Sequence, residues 1–237
     1  MRLLVLAGGF GTRLRSAVAD IPKALAPIGD TPFLQLQFDH WRSQGIHKFT
    51  FLLHHQADQI IDFLRGQLKG KLSDCGVDWI VEIAPLDTGG ALAFGVKQLG
   101  LSDDFLFVNA DTWLGGGIAE LMQARSPAMA VIKLADVSRY GQVCFDHNHV
   151  VQAFSEKQSV ATAGWINGGL GRLNVELFRN WDGKRFSLER DLYPLLVQEN
   201  RLTAVPLITN FIDIGVPDDY HRFCHWVASG RQLPLCN

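Results

Sequence analysis

Hydrophobic positions along the first half of this chain switch between two spacings. Residues 2–7 form a short Leu/Val-rich run ended by Gly8, which predicts a buried strand. Phe33, Leu34, Leu36, Phe38 and Trp41 then lie within a helix-length segment that stops near Gly45. Residues 47–53 read as a second strand. Residues 57–68 read as a helix, because Ile60, Ile61, Leu64 and Leu68 recur at helical spacing. A strand over 77–83, a helix over 88–99 and a strand over 104–108 continue the pattern. Alternation of this kind predicts an α/β fold with a parallel, doubly wound sheet.

The second half is less regular. Residues 128–134, 141–145, 150–154 and 164–173 look like strands without long helices between them. Residues 188–198 read as a helix with Ser187 as its N-cap, 202–207 and 210–214 as short strands, and 217–228 as a final helix. The expected fold is a Rossmann-like, mostly parallel mixed sheet in a single domain over 1–237. Residues 1–111 and 112–237 would form two halves sharing that sheet. Ligands in such sheets bind beyond the carboxyl ends of strands, where the first strand delivers residues 8–13.

Composition narrows the class. The chain has 237 residues, 47% hydrophobic and 19% charged, without a repeat or a low-complexity linker. A formal net charge of −2 gives no basic field for nucleic acid, so any phosphate must be held by a few local cations and backbone dipoles. Cys75, Cys144, Cys224 and Cys236 lie far apart and form no C-x-x-C pair, which suits reduced thiols in a cytoplasmic enzyme. Only five apolar residues separate Met1-Arg2 from Gly8, too few for a signal-peptide core. No apolar run reaches membrane-spanning length. His54-His55 and His147-x-His149 lack an obvious third ligand and read as loop or strand-end residues. Trp41, Trp79, Trp181 and Trp226 are expected in the core or at a subunit interface, and a homo-oligomer is left open.

The chemistry concentrates in the first 23 residues. Leu6-Ala7-Gly8-Gly9-Phe10-Gly11-Thr12-Arg13-Leu14 is followed by Pro22-Lys23. Glycines let backbone N–H groups approach a polyphosphate without Cβ interference, and Arg13 and Lys23 can neutralise its charge. A Walker-type loop is excluded, since no Gly-Lys-Ser or Gly-Lys-Thr occurs. A dinucleotide fingerprint is excluded too, because Leu14 stands where its third glycine belongs. Asp111 follows the apolar run 105–108, and a carboxylate at the end of a buried strand suits Mg²⁺, which favours hard oxygen ligands.

These residues resemble the G-G-x-G-T-R-L…P-K signature of sugar-1-phosphate nucleotidyltransferases, and later segments follow in family order as far as Tyr220. The resemblance is nearest to short guanylyltransferases acting on D-glycero-α-D-manno-heptose 1-phosphate. Some enlarged relatives carry a carboxy-terminal repeat domain, for which length is lacking here.

The resemblance implies Mg²⁺-dependent transfer of a nucleotidyl group from a nucleoside triphosphate to a sugar 1-phosphate, with release of pyrophosphate. Arg13, Lys23 and Asp111 would be catalytic. Leu6, Ala7, Gly8, Gly9, Gly11 and Thr12 would bind the nucleotide. Residues 211–220 look like the F-x-D-I-G-x-P-x-D-Y segment, which makes Asp213 the partner of Asp111 in holding the metal. Relatives usually have glycine where Ala110 precedes the aspartate.

Residues 82–91 resemble the E-x-x-P-L-G-T-G/A-G segment of guanylyltransferases, which adds Glu82, Pro85, Thr88 and Gly89 to the nucleotide site. A carboxylate can accept from both guanine N1–H and the exocyclic amine, whereas uracil or thymine would set carbonyls against it; Glu82 therefore favours GTP. Asp87 replaces the usual glycine. Thr88-Gly89-Gly90 opens a helix and is expected to present backbone N–H groups.

Asn109, Glu156, Lys157, Asn167 and Gly168 are implied at the sugar phosphate, through F-x-E-K and A-G-x-I-N-G-G segments. Gly171 stands where the family often has an aromatic, so an altered pocket wall is expected. Glu189, in an F-S-L-E-x-D segment, could touch substrate.

Three other readings stay open: mannose-1-phosphate guanylylation, uridylyl or thymidylyl transfer to a hexose 1-phosphate, and a non-catalytic regulatory subunit that binds a nucleotide sugar. The last would be expected to lack Arg13, Lys23 or one aspartate.

Overall fold

The computed structural model describes residues 1–14, 16–155 and 162–231. Its elements are β1 (Leu3–Leu6), β2 (Pro27–Ile28), β3 (Thr31–Pro32), α1 (Phe33–Ser43), β4 (Lys48–Leu53), α2 (Ala57–Leu68), β5 (Gly76–Val81), α3 (Asp87–Leu99), β6 (Phe105–Asn109) and β7 (Thr112–Leu114). They continue through α4 (Ile118–Gln123), β8 (Ala128–Leu134), β9 (Gln142–Phe145), β10 (Val151–Ser155), β11 (Gly164–Leu173), α5 (Tyr193–Gln198), β12 (Thr203–Leu207), β13 (Phe211–Asp213) and α6 (Pro217–Ala228).

Among the described residues, one nine-stranded sheet runs β10-β9-β11-β6-β1-β4-β5, with β8 on β11 and β12 on β8. β6, β1, β4 and β5 are mutually parallel, as the strand–helix alternation predicts. β11 is antiparallel to β6, β8 and β9, so the second half joins the same sheet by a different pairing.

Side-chain alternation along the strands builds the two faces. Leu3 and Val5 of β1, with Leu106 and Val108 of β6, pack against Phe38, Ile60 and Leu64 of α1 and α2. Leu4, Phe105 and Phe107 point the other way, to Leu92 and Val96 of α3 and Leu196 of α5. A sheet coated on both faces is the reason its strands read as continuous apolar runs. Trp41 and Trp226 are buried, and Trp79 and Trp181 are partly buried against the core.

A third apolar cluster lies outside the sheet, where Leu14, Val18, Ile28 and Phe33 meet Trp113, Ile212, Ile214, Phe223 and Trp226. It glues the segment after the glycine loop to α6 and to the small β7–β13 ribbon. The Ser187 hydroxyl accepts from the N–H groups of Glu189 and Arg190 and caps a wide helical turn, Leu188–Leu192, that runs into α5. β2, β3, β7 and α4 are too short to show a period, and the sequence pattern does not predict them.

Candidate active site

Three strand ends meet at the site. Parallel register sets Leu6 of β1 beside Leu52 of β4 and Asn109 of β6, so the segments that follow those strands converge. The chain leaves β1 through Gly8, whose α-carbon is hemmed in by the His54 backbone and Cβ at 3.2 Å from any added methyl. Gly11 takes φ +59, a left-handed conformation that glycine adopts without strain, and starts the tight turn Thr12–Leu14 that presents Arg13. Arg13 is exposed and makes no ion pair among the described residues.

Ala110 sits in the core with its N–H donating to the Leu6 carbonyl at 3.0 Å. The core accommodates the methyl group at this position, where relatives usually have glycine. Beyond it, β7 pairs with β13 so that Thr112 faces Asp213, which brings the carboxylates of Asp111 and Asp213 to one place. Lys23 reaches both: its Nζ donates to Asp111 Oδ2 at 2.6 Å and to Asp213 Oδ1 at 3.3 Å. Burial alone would lower the Lys23 pKa, but the two carboxylates outweigh it and hold the ammonium above its ordinary value. Burial, and then the charge of Asp111, push Asp213 up against the pull of Lys23.

Gly215 borders this group. A Cβ there would lie 2.7 Å from Asp213 Oδ1 and 2.7 Å from Lys23 Nζ. Two carboxylates beside a cradle that a methyl group would fill form a donor set suited to a hard divalent cation.

Two adjoining cavities share Leu6, Gly9, Phe10 and Asp111. One, of about 270 Å³, is also lined by Ala7, Gly11, Thr12, Arg13, Lys23 and Gly215. The other, of about 310 Å³, is lined by Gly8, Glu82, Pro85, Asp87, Thr88, Asn109 and Arg185 among others. Glu82 is buried just past the end of β5, and its Oε2 accepts from the Leu86 N–H at 2.8 Å. Burial raises its pKa, partly offset by that hydrogen bond. It is a pocket carboxylate rather than a solvated strand end.

Several expectations are corrected. The N–H groups of Thr88, Gly89 and Gly90 are not free for a ligand: Thr88 donates to Asp87 Oδ1 at 2.9 Å, and Gly89 and Gly90 donate to the Phe186 carbonyl at 3.1 and 3.0 Å. Gly89 is required for packing instead, since a Cβ there would lie 2.2 Å from the Phe186 ring. The Thr88 hydroxyl donates to Glu189 Oε2 at 2.7 Å and accepts from the Leu188 N–H at 2.9 Å. Glu189 also accepts from the Ser187 hydroxyl, so this oxygen braces the loop rather than facing substrate.

Gly171 faces Phe107 in the core, not the pocket, so no pocket wall is altered there. Asn167 and Gly168 stand on β11 outside both cavities, and the Asn167 side chain accepts from the Gly169 N–H at 3.0 Å. Glu156 and Lys157 lie outside the described residues. Of the histidine pairs, His54 is tied to the Glu82 carbonyl through Nδ1 at 3.1 Å, and neither pair gathers metal ligands among the described residues.

The sequence reading missed Arg185, Phe10 and Gly215 as site residues. Gly215 was visible in the F-I-D-I-G segment, whereas Arg185 has no signal beyond its place just before Phe186.

The model of the family described as nucleotidyl transferase matches residues 2–228. The chain is 34% identical, over 94% of its length and 98% of the relative's, to a D-glycero-alpha-D-manno-heptose 1-phosphate guanylyltransferase of Campylobacter jejuni. It is 30% identical to the mannose-1-phosphate guanylyltransferase catalytic subunit beta of Drosophila melanogaster, spanning 98% of this chain but 64% of that protein. Among solved structures it resembles HddC from Yersinia pseudotuberculosis complexed with GMP-PN, with a TM-score of 0.81 and 31% identity over 95% of this chain and 99% of that one.

Proposed function

The chain belongs to the nucleotidyl transferase family, and from that premise we propose that it transfers GMP from GTP to D-glycero-α-D-manno-heptose 1-phosphate and releases pyrophosphate. The observation that carries this reading is the buried Glu82 carboxylate in a cavity that adjoins the phosphate-binding loop. Its acceptor oxygens complement the N1–H and N2 amine of guanine, and a pyrimidine carbonyl facing them would leave a buried mismatch. Similarity to a heptose 1-phosphate enzyme over almost the full length of both proteins supports the choice of sugar.

The sugar phosphate oxygen attacks the α-phosphorus in line. A phosphate oxygen is already deprotonated, so no general base is needed and catalysis is electrostatic and positional. The backbone of residues 8–11 cradles the triphosphate. Arg13, with no competing ion pair among the described residues, takes the charge that develops on the leaving pyrophosphate. Lys23 moves its charge from the aspartates to the phosphate chain. Asn109, at the end of β6, borders the incoming sugar phosphate. Asp111 and Asp213 would hold Mg²⁺, which when bound neutralises and orients the reacting phosphates. We place the reaction in the cytoplasm, in keeping with the free thiols of Cys75, Cys144 and Cys224.

Pyrophosphate release with Mg²⁺, measured for four nucleoside triphosphates against heptose, mannose, glucose and N-acetylglucosamine 1-phosphates, tests the proposal. Turnover with GTP and the heptose phosphate is expected. Preference for UTP or dTTP would defeat the base assignment, and preference for mannose 1-phosphate the sugar assignment.

A further inference from the structure

Arg185 lines the same cavity as Glu82 and is absent from the lining of the phosphate-loop cavity, where Arg13 and Lys23 stand. Its position is set by Asp87, the residue that replaces the glycine of the resembling segment. Asp87 adopts φ +64, a left-handed conformation that aspartate tolerates better than most side chains. Asp87 Oδ1 accepts from the Thr88 N–H at 2.9 Å. Its Oδ2 accepts from Arg190 at 2.6 Å and from Arg185 at 3.3 Å. Both oxygens are thus engaged, and Asp87 is an anchor rather than a reader. Arg190 is the tighter partner. Arg185 keeps the rest of its fork for a ligand, with a side chain that is 63% exposed.

Building on the guanylyl reading above, we infer that Arg185 recognises the O6/N7 edge of guanine while Glu82 recognises its N1/N2 edge, with Asp87 as the residue that positions Arg185. Guanine presents two adjacent acceptors, O6 and N7, on one edge and donors on the other. A guanidinium fork matches the first edge and a carboxylate the second. Adenine replaces O6 with an amine, which would meet the arginine donor to donor, and uracil has no N7. The remaining lining of the cavity includes Gly8, Leu52, Pro85 and Ala91, small or apolar residues that leave room for a planar base.

The test uses pyrophosphate release with GTP, 7-deaza-GTP, which lacks the N7 acceptor, and ITP, which lacks the 2-amine. Wild type should lose about tenfold in kcat/KM on 7-deaza-GTP, the scale of one good ligand hydrogen bond. Arg185→Ala should lose at least as much on GTP yet show no further loss on 7-deaza-GTP. Its penalty on ITP should remain, because that contact is assigned to Glu82. Asp87→Gly should weaken the 7-deaza penalty while leaving the ITP penalty. Equal 7-deaza penalties in wild type and Arg185→Ala would overturn the inference while leaving GTP as substrate. A wild-type enzyme that turns over UTP but not GTP would instead overturn the guanylyl reading, and this inference with it.

Discussion

Lys23 can stand beside Asp213 only because position 215 carries no side chain. A Cβ on Gly215 would fall 2.7 Å from both the Lys23 ammonium and the Asp213 carboxylate, closer than any ordinary contact. Gly215→Ala is therefore expected to push the lysine or the aspartate out of place. Ångström-scale misplacement of reacting groups costs on the order of 100-fold, so kcat should fall by about that much. The melting temperature should change little, because the strain falls on a site rather than on the core. Full activity in the alanine variant would show that this close approach is not used in catalysis.

Arg13 offers a cleaner separation of function from folding. It is exposed and has no ion pair among the described residues, so its truncation is expected to leave the fold intact. Arg13→Ala should unfold at the wild-type temperature and lose about 10²- to 10³-fold in kcat, the scale of removing one transition-state donor. Comparable losses in kcat and kcat/KM would mark an interaction made in the transition state. Near-wild-type turnover would remove Arg13 from the mechanism.

The parallel half of the sheet was legible because each strand alternates with a helix and both faces are covered, so strand and helix periods appear in turn. Asp111 and Asp213 were legible through the segments around them. What brings them together, the pairing of Thr112 with Asp213, is a ribbon of three-residue strands without a readable period. The need for glycine at positions 8 and 11 was legible, and the structure gives it a local cause: the His54 backbone crowds Gly8, and Gly11 takes a left-handed φ. Gly89 is expected from the sequence to offer its N–H in the nucleotide site, but it is small for the sake of the Phe186 ring, a contact from far along the chain. Asp219 is another long-range case: it is buried in the P-x-D-Y segment, where it pairs with Arg139 and, at 3.1 Å, with Arg222. The sequence does not announce that its partner Arg139 comes from the connection between β8 and β9.

Glu82 should leave a signature in stability as well as in specificity. Its folded pKa is raised, chiefly by burial, so the folded state binds the proton more tightly than the unfolded chain does. The ionised form therefore costs stability at pH values above the folded pKa, and the cost fades as pH falls towards the ordinary carboxylate value. Glu82→Gln, which cannot ionise, should melt at a higher temperature than wild type near neutrality, with the gap closing as the solution is acidified. The same variant should lose about 10- to 100-fold in kcat/KM for GTP, since its amide meets a guanine donor. A melting-temperature gap that is constant from pH 4 to 8 would mean that the carboxylate is not destabilised by its pocket.

Gly171 is a core contact, and its prediction separates packing from the site. A Cβ there would lie 2.4 Å from the Phe107 ring and 3.0 Å from the Ala128 carbonyl oxygen. The ring can shift at the expense of its neighbours in the core, but the carbonyl belongs to the β8 backbone and yields less. Gly171→Ala should consequently cost about 1–3 kcal/mol in urea unfolding, the usual range for overpacking a filled core. Shrinking the ring with Phe107→Leu should recover part of that loss, so the two substitutions are expected to be non-additive in a double-mutant cycle. Turnover per folded molecule should stay at the wild-type level in Gly171→Ala, because the position faces away from both cavities. Additive costs would show that the ring is not what the alanine strikes, and a selective loss of kcat would return position 171 to the pocket wall.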